Sequence, residues 1–243
     1  MMRARCRALL ILAALMILAA ATVAVVRLRS PEPLPPRPPA QRPTLLLLTS
    51  LPLVFGEDFS LQHNGSRALS TLETRYRVVP ISIADPATLD KGRLLLMAHP
   101  LAQPAEDLVA LDAWVRRGGR VLLLADPMLE WPSDRPLGDM LRPPSMFMDT
   151  GLLAHWGLRL NAPTARGPKL EQLGGFEVLT VSPGELFGGC AISEDRFVAR
   201  CKIGRGRATV VADADFLDAP QLGRQAKHNL DALLEELAKL ERP

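Results

Sequence analysis

Four runs along the chain are apolar at almost every position rather than at every second one. They are Thr44–Thr49 (TLLLLT), Arg93–Ala98 (RLLLMA), Arg120–Ala125 (RVLLLA) and Arg207–Ala212 (RATVVA). A strand wetted on one face alternates apolar with polar residues, so continuous runs predict strands buried on both faces of a parallel sheet. Arg77–Ile83 (RVVPISI) is a further strand candidate, and Pro80, which has no N–H to offer a neighbour, places it at an edge.

Helical patterns fall between these runs. Gly65–Thr74 leads into the edge strand. Pro104–Arg117 starts at a proline, carries Glu106 and Asp107 in its first turn, and presents Leu108, Leu111, Trp114 and Val115 on one face before Gly118-Gly119 stops it. Phe147–Trp156 is predicted as a helix closed by Gly157, and Gln225–Leu240 as one with Leu230, Leu233, Leu234 and Leu237 on its buried face. Phe176–Val181, Gly189–Ser193 and Arg196–Lys202 read as short antiparallel strands. The alternation of strand and helix predicts an α/β fold, a Rossmann-like three-layer sandwich with a mainly parallel sheet, right-handed crossovers and a small antiparallel β insertion. All of it lies in one domain, residues 44–243.

The start of the chain follows a different pattern. Leu9–Val26 carries no charge and one polar residue, Thr22, over a length of about 27 Å as a helix, close to the hydrocarbon thickness of a bilayer. Arg3, Arg5 and Arg7 precede it, and the positive-inside tendency then puts residues 1–8 in the cytoplasm, 9–26 across the inner membrane as a single transmembrane anchor, and the rest in the periplasm. A cleavable signal with an Ala-x-Ala site at Ala19–Ala21 is the competing reading. Residues 27–43 form a proline-rich linker, whose stretch 30–43 as polyproline II would hold the domain up to roughly 40 Å from the bilayer.

Charge changes the picture once it is located. The chain of 243 residues has a formal net charge of +3, yet residues 1–43 hold seven arginines and a single acid, Glu32. The domain is therefore mildly acidic, which argues against nucleic acid as a partner. No motif calls for a cofactor.

Ligands of open parallel sheets bind beyond the carboxyl ends of the strands. Ser50, His99, Asp126, Asp213 and Asp215 stand there as a candidate ligand crevice, with Thr49, Glu57 and Asp58 nearby. One histidine and several carboxylates are the ingredients of a metal-dependent hydrolase. Asp126-Pro127 and Asp213-x-Asp215 are equally the residues that cap strand exits by accepting backbone N–H bonds, and that reading leaves the metal assignment empty. No Gly-x-Ser-x-Gly or Gly-x-Cys-x-Gly elbow exists, so no catalytic nucleophile is assigned. Cys190 and Cys201 face each other directly if their hairpin turns at Asp195-Arg196, and a disulfide there suits an exported domain; a turn one residue earlier misaligns them.

Three stretches carry a resemblance: Leu111–Met128 (LDAWVRRGGRVLLLADPM), Gly151–Leu160 (GLLAHWGLRL) and Gly204–Leu217 (GRGRATVVADADFL), the last followed by His228-Asn229 and a leucine-rich helix. Together they resemble the auxiliary membrane component of gliding-motility-type ABC transport systems, and more broadly the glutamine-amidotransferase-like domains of that group. The resemblance implies a class I amidotransferase-like sandwich without the Cys–His–Glu catalytic set, held at the membrane beside an ABC permease and ATPase. The chain lacks the second, C-terminal membrane helix of larger members and ends in an amphipathic helix. The expectation is a non-enzymatic, membrane-anchored periplasmic component of an ABC-type transport system, acting in binding or assembly. An exported metal-dependent hydrolase and a periplasmic sensor of a small ligand are the alternatives.

Overall fold

The computed structural model describes residues 32–54 and 65–242. The predicted cytoplasmic tail and transmembrane anchor, with Glu57 and Asp58, lie outside them. Among the described residues no helix is long and apolar enough to cross a membrane.

In chain order the elements are β1 (Thr44–Thr49), α1 (Arg67–Glu73), β2 (Arg77–Ile81), α2 (Pro86–Leu89), β3 (Leu94–Ala98), α3 (Ala105–Arg116), β4 (Arg120–Leu124), α4 (Leu152–His155), β5 (Leu158–Asn161), β6 (Pro168–Leu173), β7 (Phe176–Val181), β8 (Glu185–Gly188), β9 (Ala191–Ile192), β10 (Val198–Ile203), β11 (Gly206–Val211), α5 (Ala219–Leu222) and α6 (Ala226–Glu241). Seven strands form the main sheet in the order β2-β1-β3-β4-β11-β10-β9. Strands β2, β1, β3, β4 and β11 are parallel; β10 and β9 add an antiparallel margin.

The all-apolar strands occupy the middle of this sheet. Leu45, Leu46, Leu95, Leu96, Leu122, Leu123 and Val210 are fully buried, and each such side chain contributes about 1.5–3 kcal/mol on leaving water. Pro80 sits opposite Leu47 on the outermost strand, where its missing N–H breaks no ladder. From β1 the chain moves outward to β2, then back past β1 to β3. Right-handed crossovers therefore put α1 and α2 on opposite faces. α1 packs with α6 and α2 with α3, which completes three layers.

Two short antiparallel pairs, β5 with β8 and β6 with β7, form the insertion beside the main sheet. It is larger than the sequence pattern predicts, since β5, β6 and β8 were not expected. The hairpin of β6 and β7 lies against α6, with only every second residue covered, so Lys169 and Glu171 interrupt the apolar signal.

Two expectations are corrected. The helix predicted over 147–156 is one turn, Leu152–His155. Gly151 enters it at φ 106°, the Asp149 carboxylate accepts the N–H groups of Gly151 and Leu153, and Phe147 N–H is drawn instead to Asp126 O at 2.6 Å. The linker predicted over 27–43 is also shorter, because the folded unit begins at Leu34. Leu34 packs on the core, Arg37 N–H donates to Thr74 O at 2.9 Å, and the Arg37 guanidinium meets both Glu241 oxygens at 3.2 and 2.8 Å. Prolines at 35, 36, 38 and 39 thus lie along the domain rather than hold it away.

Candidate functional site

The carboxyl ends of β1, β3, β4 and β11 follow one another along one edge of the sheet. Between β1 and β3 the connections run in opposite directions, and such a switch point leaves a gap that neither crossover fills. A crevice of about 350 Å³ opens there, floored by Thr49, Ser50 and Leu51 after β1 and flanked by Ser82 and Leu101. Thr49 Oγ1 donates to Ala98 O at 2.8 Å, and Ser50 Oγ donates to His99 O, so the two strand exits are tied together by hydroxyls.

The opposite wall comes from residues 125–151, a long connection without helix or strand between β4 and α4. It contributes Arg135, Met140, Leu141 and Arg142. Arg135 pairs with Asp139 at 3.4 Å, and Arg142 donates to the Arg135 carbonyl. The segment is pinned at its base by Leu129 N–H to Ser145 O and by Phe147 N–H to Asp126 O. Its outer part presents Leu137 at 85% and Met140 at 92% exposure. Connections of this length in a compact domain are usually functional. Sequence reasoning missed these residues because 127–146 has no periodicity; the signal it offered was an unusual length without an element.

His99 lies behind the crevice, fully buried and with φ 46°. Its Nε2 is 2.8 Å from Pro144 O, a carbonyl that can only accept, so Nε2 carries the proton. Burial pushes its pKa down, and the ring is neutral. Nδ1 has no partner. The histidine anchors the 125–151 segment and does not join the carboxylates.

Asp126, Asp213 and Asp215 do come together. One oxygen of each lies within 4.8 Å of the others, and all three are buried. Asp126 accepts Met128 N–H at 2.8 Å through Oδ1 and Ala214 N–H at 2.9 Å through Oδ2, joining the exits of β4 and β11. Asp215 Oδ2 accepts Glu130 N–H at 2.9 Å, and Asp213 Oδ1 accepts Phe216 N–H at 3.1 Å. Among the described residues Asp213 Oδ2 accepts no backbone N–H; the buried Thr180 hydroxyl beside it favours its charged form. Glu130 extends the group by accepting Ser182 Oγ at 2.6 Å.

Burial dominates the electrostatics here. It pushes Asp126 up to about 6 and Asp215 up to about 8, against backbone N–H bonds that favour the charged forms. Asp213, with burial and the charges of Asp126 and Asp215 acting together, lies well above the ordinary carboxylate range. At neutral pH the cluster therefore holds protons. The spacing is one that a divalent cation could bridge. Four backbone N–H groups already engage the carboxylates, which makes the cluster a junction between β4, β11 and the 125–151 segment.

Cys190 and Cys201 form a disulfide with Cα atoms 4.9 Å apart. The pairing of Ala191 with Arg200 places them directly opposite, with the turn at Asp195-Arg196. Arg196 adopts φ 59° there, and Asp195 accepts Phe197 N–H.

These features define a doubly wound α/β domain with a switch-point crevice and a tight carboxyl junction on the same edge. Among sequence families, the one described as an ABC-type uncharacterized transport system matches residues 42–167, just over half of the chain. The chain belongs to that family of transport-system auxiliary components. No curated protein matches it. Solved structures with a similar fold include the mmIFT52 N-terminal domain, at 12% identity and a TM-score of 0.53, covering 82% of this chain and 99% of that one. The exo-beta-1,4-mannosidase Op5Man5 from Opitutaceae bacterium strain TAV5 aligns at 13% identity with a TM-score of 0.50. That alignment covers 81% of this chain, which spans 36% of the mannosidase. At these identities the likeness is one of fold.

Proposed function

We propose that this auxiliary component is the membrane-anchored, periplasmic binding or assembly subunit of its transport system, working without catalysis beside a permease and an ATPase. The observation that carries the reading is the wall of the crevice at the β1/β3 switch point. An irregular segment, pinned at its base, holds Leu137, Met140, Met146 and Met148 exposed. Unbranched methionines on an exposed segment adapt to a partner's shape and are costly to leave in water. The amidotransferase-like reading of the sandwich rests on the sequence resemblance. Both cysteines of the domain are held in a disulfide, which supports a domain without a thiol nucleophile.

The hydrolase alternative draws no comparable support. Its carboxylates are sealed beneath the 125–151 segment and committed to backbone N–H groups, whereas a hydrolytic site keeps such groups open to substrate. The small-ligand alternative shares the crevice and is separated by experiment.

The test is purification of the tagged full-length protein from membranes in mild detergent. Stoichiometric recovery of an ABC permease and ATPase is expected, with loss of both in Leu137→Lys/Met140→Lys at unchanged Tm. Recovery of the protein alone, with a small ligand raising its Tm, would favour the sensor instead.

A further inference from the structure

The edge of the sheet opposite the crevice is strongly basic. Every parallel strand starts within two residues of an arginine: Arg42 for β1, Arg77 for β2, Arg93 for β3, Arg120 for β4 and Arg207 for β11. Arg116 and Arg117 end α3 on the same edge, and the β10–β11 turn adds Lys202 and Arg205.

Part of this charge is used within the fold. Arg120 donates to the Glu241 carbonyl and Arg207 to that of Arg242 at 3.3 Å, satisfying the end of α6. The carboxylates of Asp112, Glu235, Glu236 and Glu241 are each already in an ion pair, with Arg116, Arg242, Arg200 and Arg37. Glu73 and Asp90 are the exposed acids at this edge. Arg93, Arg117, Lys202 and Arg205 take no side-chain hydrogen bond or ion pair among the described residues, and all are exposed. The domain as a whole is acidic, so this concentration is a true asymmetry: protonated carboxyls gather at one edge and free guanidinium and ammonium groups at the other.

The basic edge is also concave. A groove of about 400 Å³ lies between β10, β11 and α6, lined by Arg200, Lys202, Arg205, Arg207 and Lys239 around a single carboxylate, Glu236. Both Glu236 oxygens are taken by Arg200 at 2.8 and 2.7 Å. Lys202, Arg205 and Arg207 thus surround the groove with charge to spare.

The chain enters the folded unit at this same edge. Arg37 reaches the ends of α1 and α6 through Thr74 and Glu241. The predicted span ends at residue 26 and the folded unit begins at Leu34, so residues 27–33 alone connect them.

We propose that the amino-terminal edge of the sheet docks on an anionic phospholipid surface, with a phosphate headgroup seated in the Lys202–Arg205–Arg207 groove. The anchored reading enters only through the seven residues of sequence between the predicted span and Leu34; the charge and shape of the edge stand without it. Guanidinium and ammonium groups suit phosphate oxygens, and their attraction extends over a screening length of about 8 Å at physiological salt. Docking at this edge turns the crevice and Met140 on its wall away from the bilayer.

The experiment is amide hydrogen exchange on full-length protein in nanodiscs of phosphatidylcholine alone or mixed equally with phosphatidylglycerol. Several-fold slower exchange is expected at the 117–119 and 204–206 turns in the anionic discs only. High salt should remove it, and Lys202→Glu/Arg205→Glu should abolish it at unchanged Tm. Equal exchange in the two lipids would overturn the proposal. Protection that appears in both lipids once permease and ATPase are added would overturn it in favour of a protein partner. Failure to insert into neutral discs would remove the anchor but not the docking, which protein added to preformed anionic discs would still show.

Discussion

The carboxylate of Asp126 accepts the N–H of Ala214 at 2.9 Å and, through its other oxygen, that of Met128 at 2.8 Å, fastening the exit of β4 to the exit of β11. Neighbouring Asp213 lacks this arrangement, since among the described residues its Oδ2 accepts no backbone N–H. The two acids should therefore answer an amide substitution differently. Asp126→Asn turns an NH₂ toward one of two buried donors and should cost about 1–3 kcal/mol, measured by urea unfolding. Asp213→Asn imitates the protonated acid already favoured there and should be neutral at pH 5 and stabilising at pH 8.

Stability should fall with rising pH. Asp126, near 6, and Asp215, near 8, both have folded pKa values above those of the unfolded chain. Between about pH 4 and 8 the folded state thus binds more protons than the unfolded one, and each such proton costs about 1.4 kcal/mol per pH unit as pH rises. The contribution is complete below about pH 4, where these carboxyls are protonated in both states. Urea midpoints measured from pH 5 to 8 should decline, and the decline should flatten in Asp213→Asn. A midpoint that rose over that range would contradict the protonated junction.

Asn229 closes the free side of β7. Its Oδ1 accepts Leu179 N–H at 3.0 Å, and its Nδ2 donates to Leu179 O at 2.7 Å and to Phe216 O at 2.9 Å. One fully buried amide thus satisfies three backbone groups. Asn229→Ala should lower stability by at least about 2 kcal/mol, with faster amide exchange at 176–181 as its local signature.

Reduction of the Cys190–Cys201 disulfide should destabilise the domain by about 2–4 kcal/mol in the chain-entropy account of so short a loop. Cys190→Ser/Cys201→Ser should behave like the reduced protein in thermal unfolding. Mass spectrometry of the protein isolated from its native cells should find the pair oxidised.

Gly206 is fixed by proximity. A Cβ there would lie 2.1 Å from Val115 O and 2.2 Å from Gly119 O, both backbone atoms that cannot turn aside. Gly206→Ala should therefore leave little soluble protein at 37 °C. Substituting the open Gly118 is the weaker change, costing only its positive φ.

The parallel core was legible because its signal is local. Leu45–Leu48, Leu94–Met97 and Val121–Leu124 must be apolar on both faces, and Pro80 marks an edge by its own chemistry. The insertion was less so: β6 buries Glu171 where an apolar residue would mark the strand, and its Gln172 N–H donates to Asp195 at 3.3 Å, a contact no short window of sequence contains. The Asp-Pro and Asp-x-Asp exits were visible as candidates. Their division was not, for Ser50 belongs to the crevice, His99 to the anchoring of 125–151, and the three aspartates to a junction of their own.

The sequence by itself determined the order of buried strands and helices, the edge position of β2 and the residue types at the strand exits, since each follows from side-chain chemistry over a few neighbours. Tertiary structure decided which exits meet. Asp126 and Asp213 are distant along the chain and become partners only because β11 inserts beside β4. It also shortened the helix at 152 and laid the prolines after Leu34 against the domain. These outcomes depend on burial and on hydrogen bonds between distant segments, and their free energies exist only once the chain has folded.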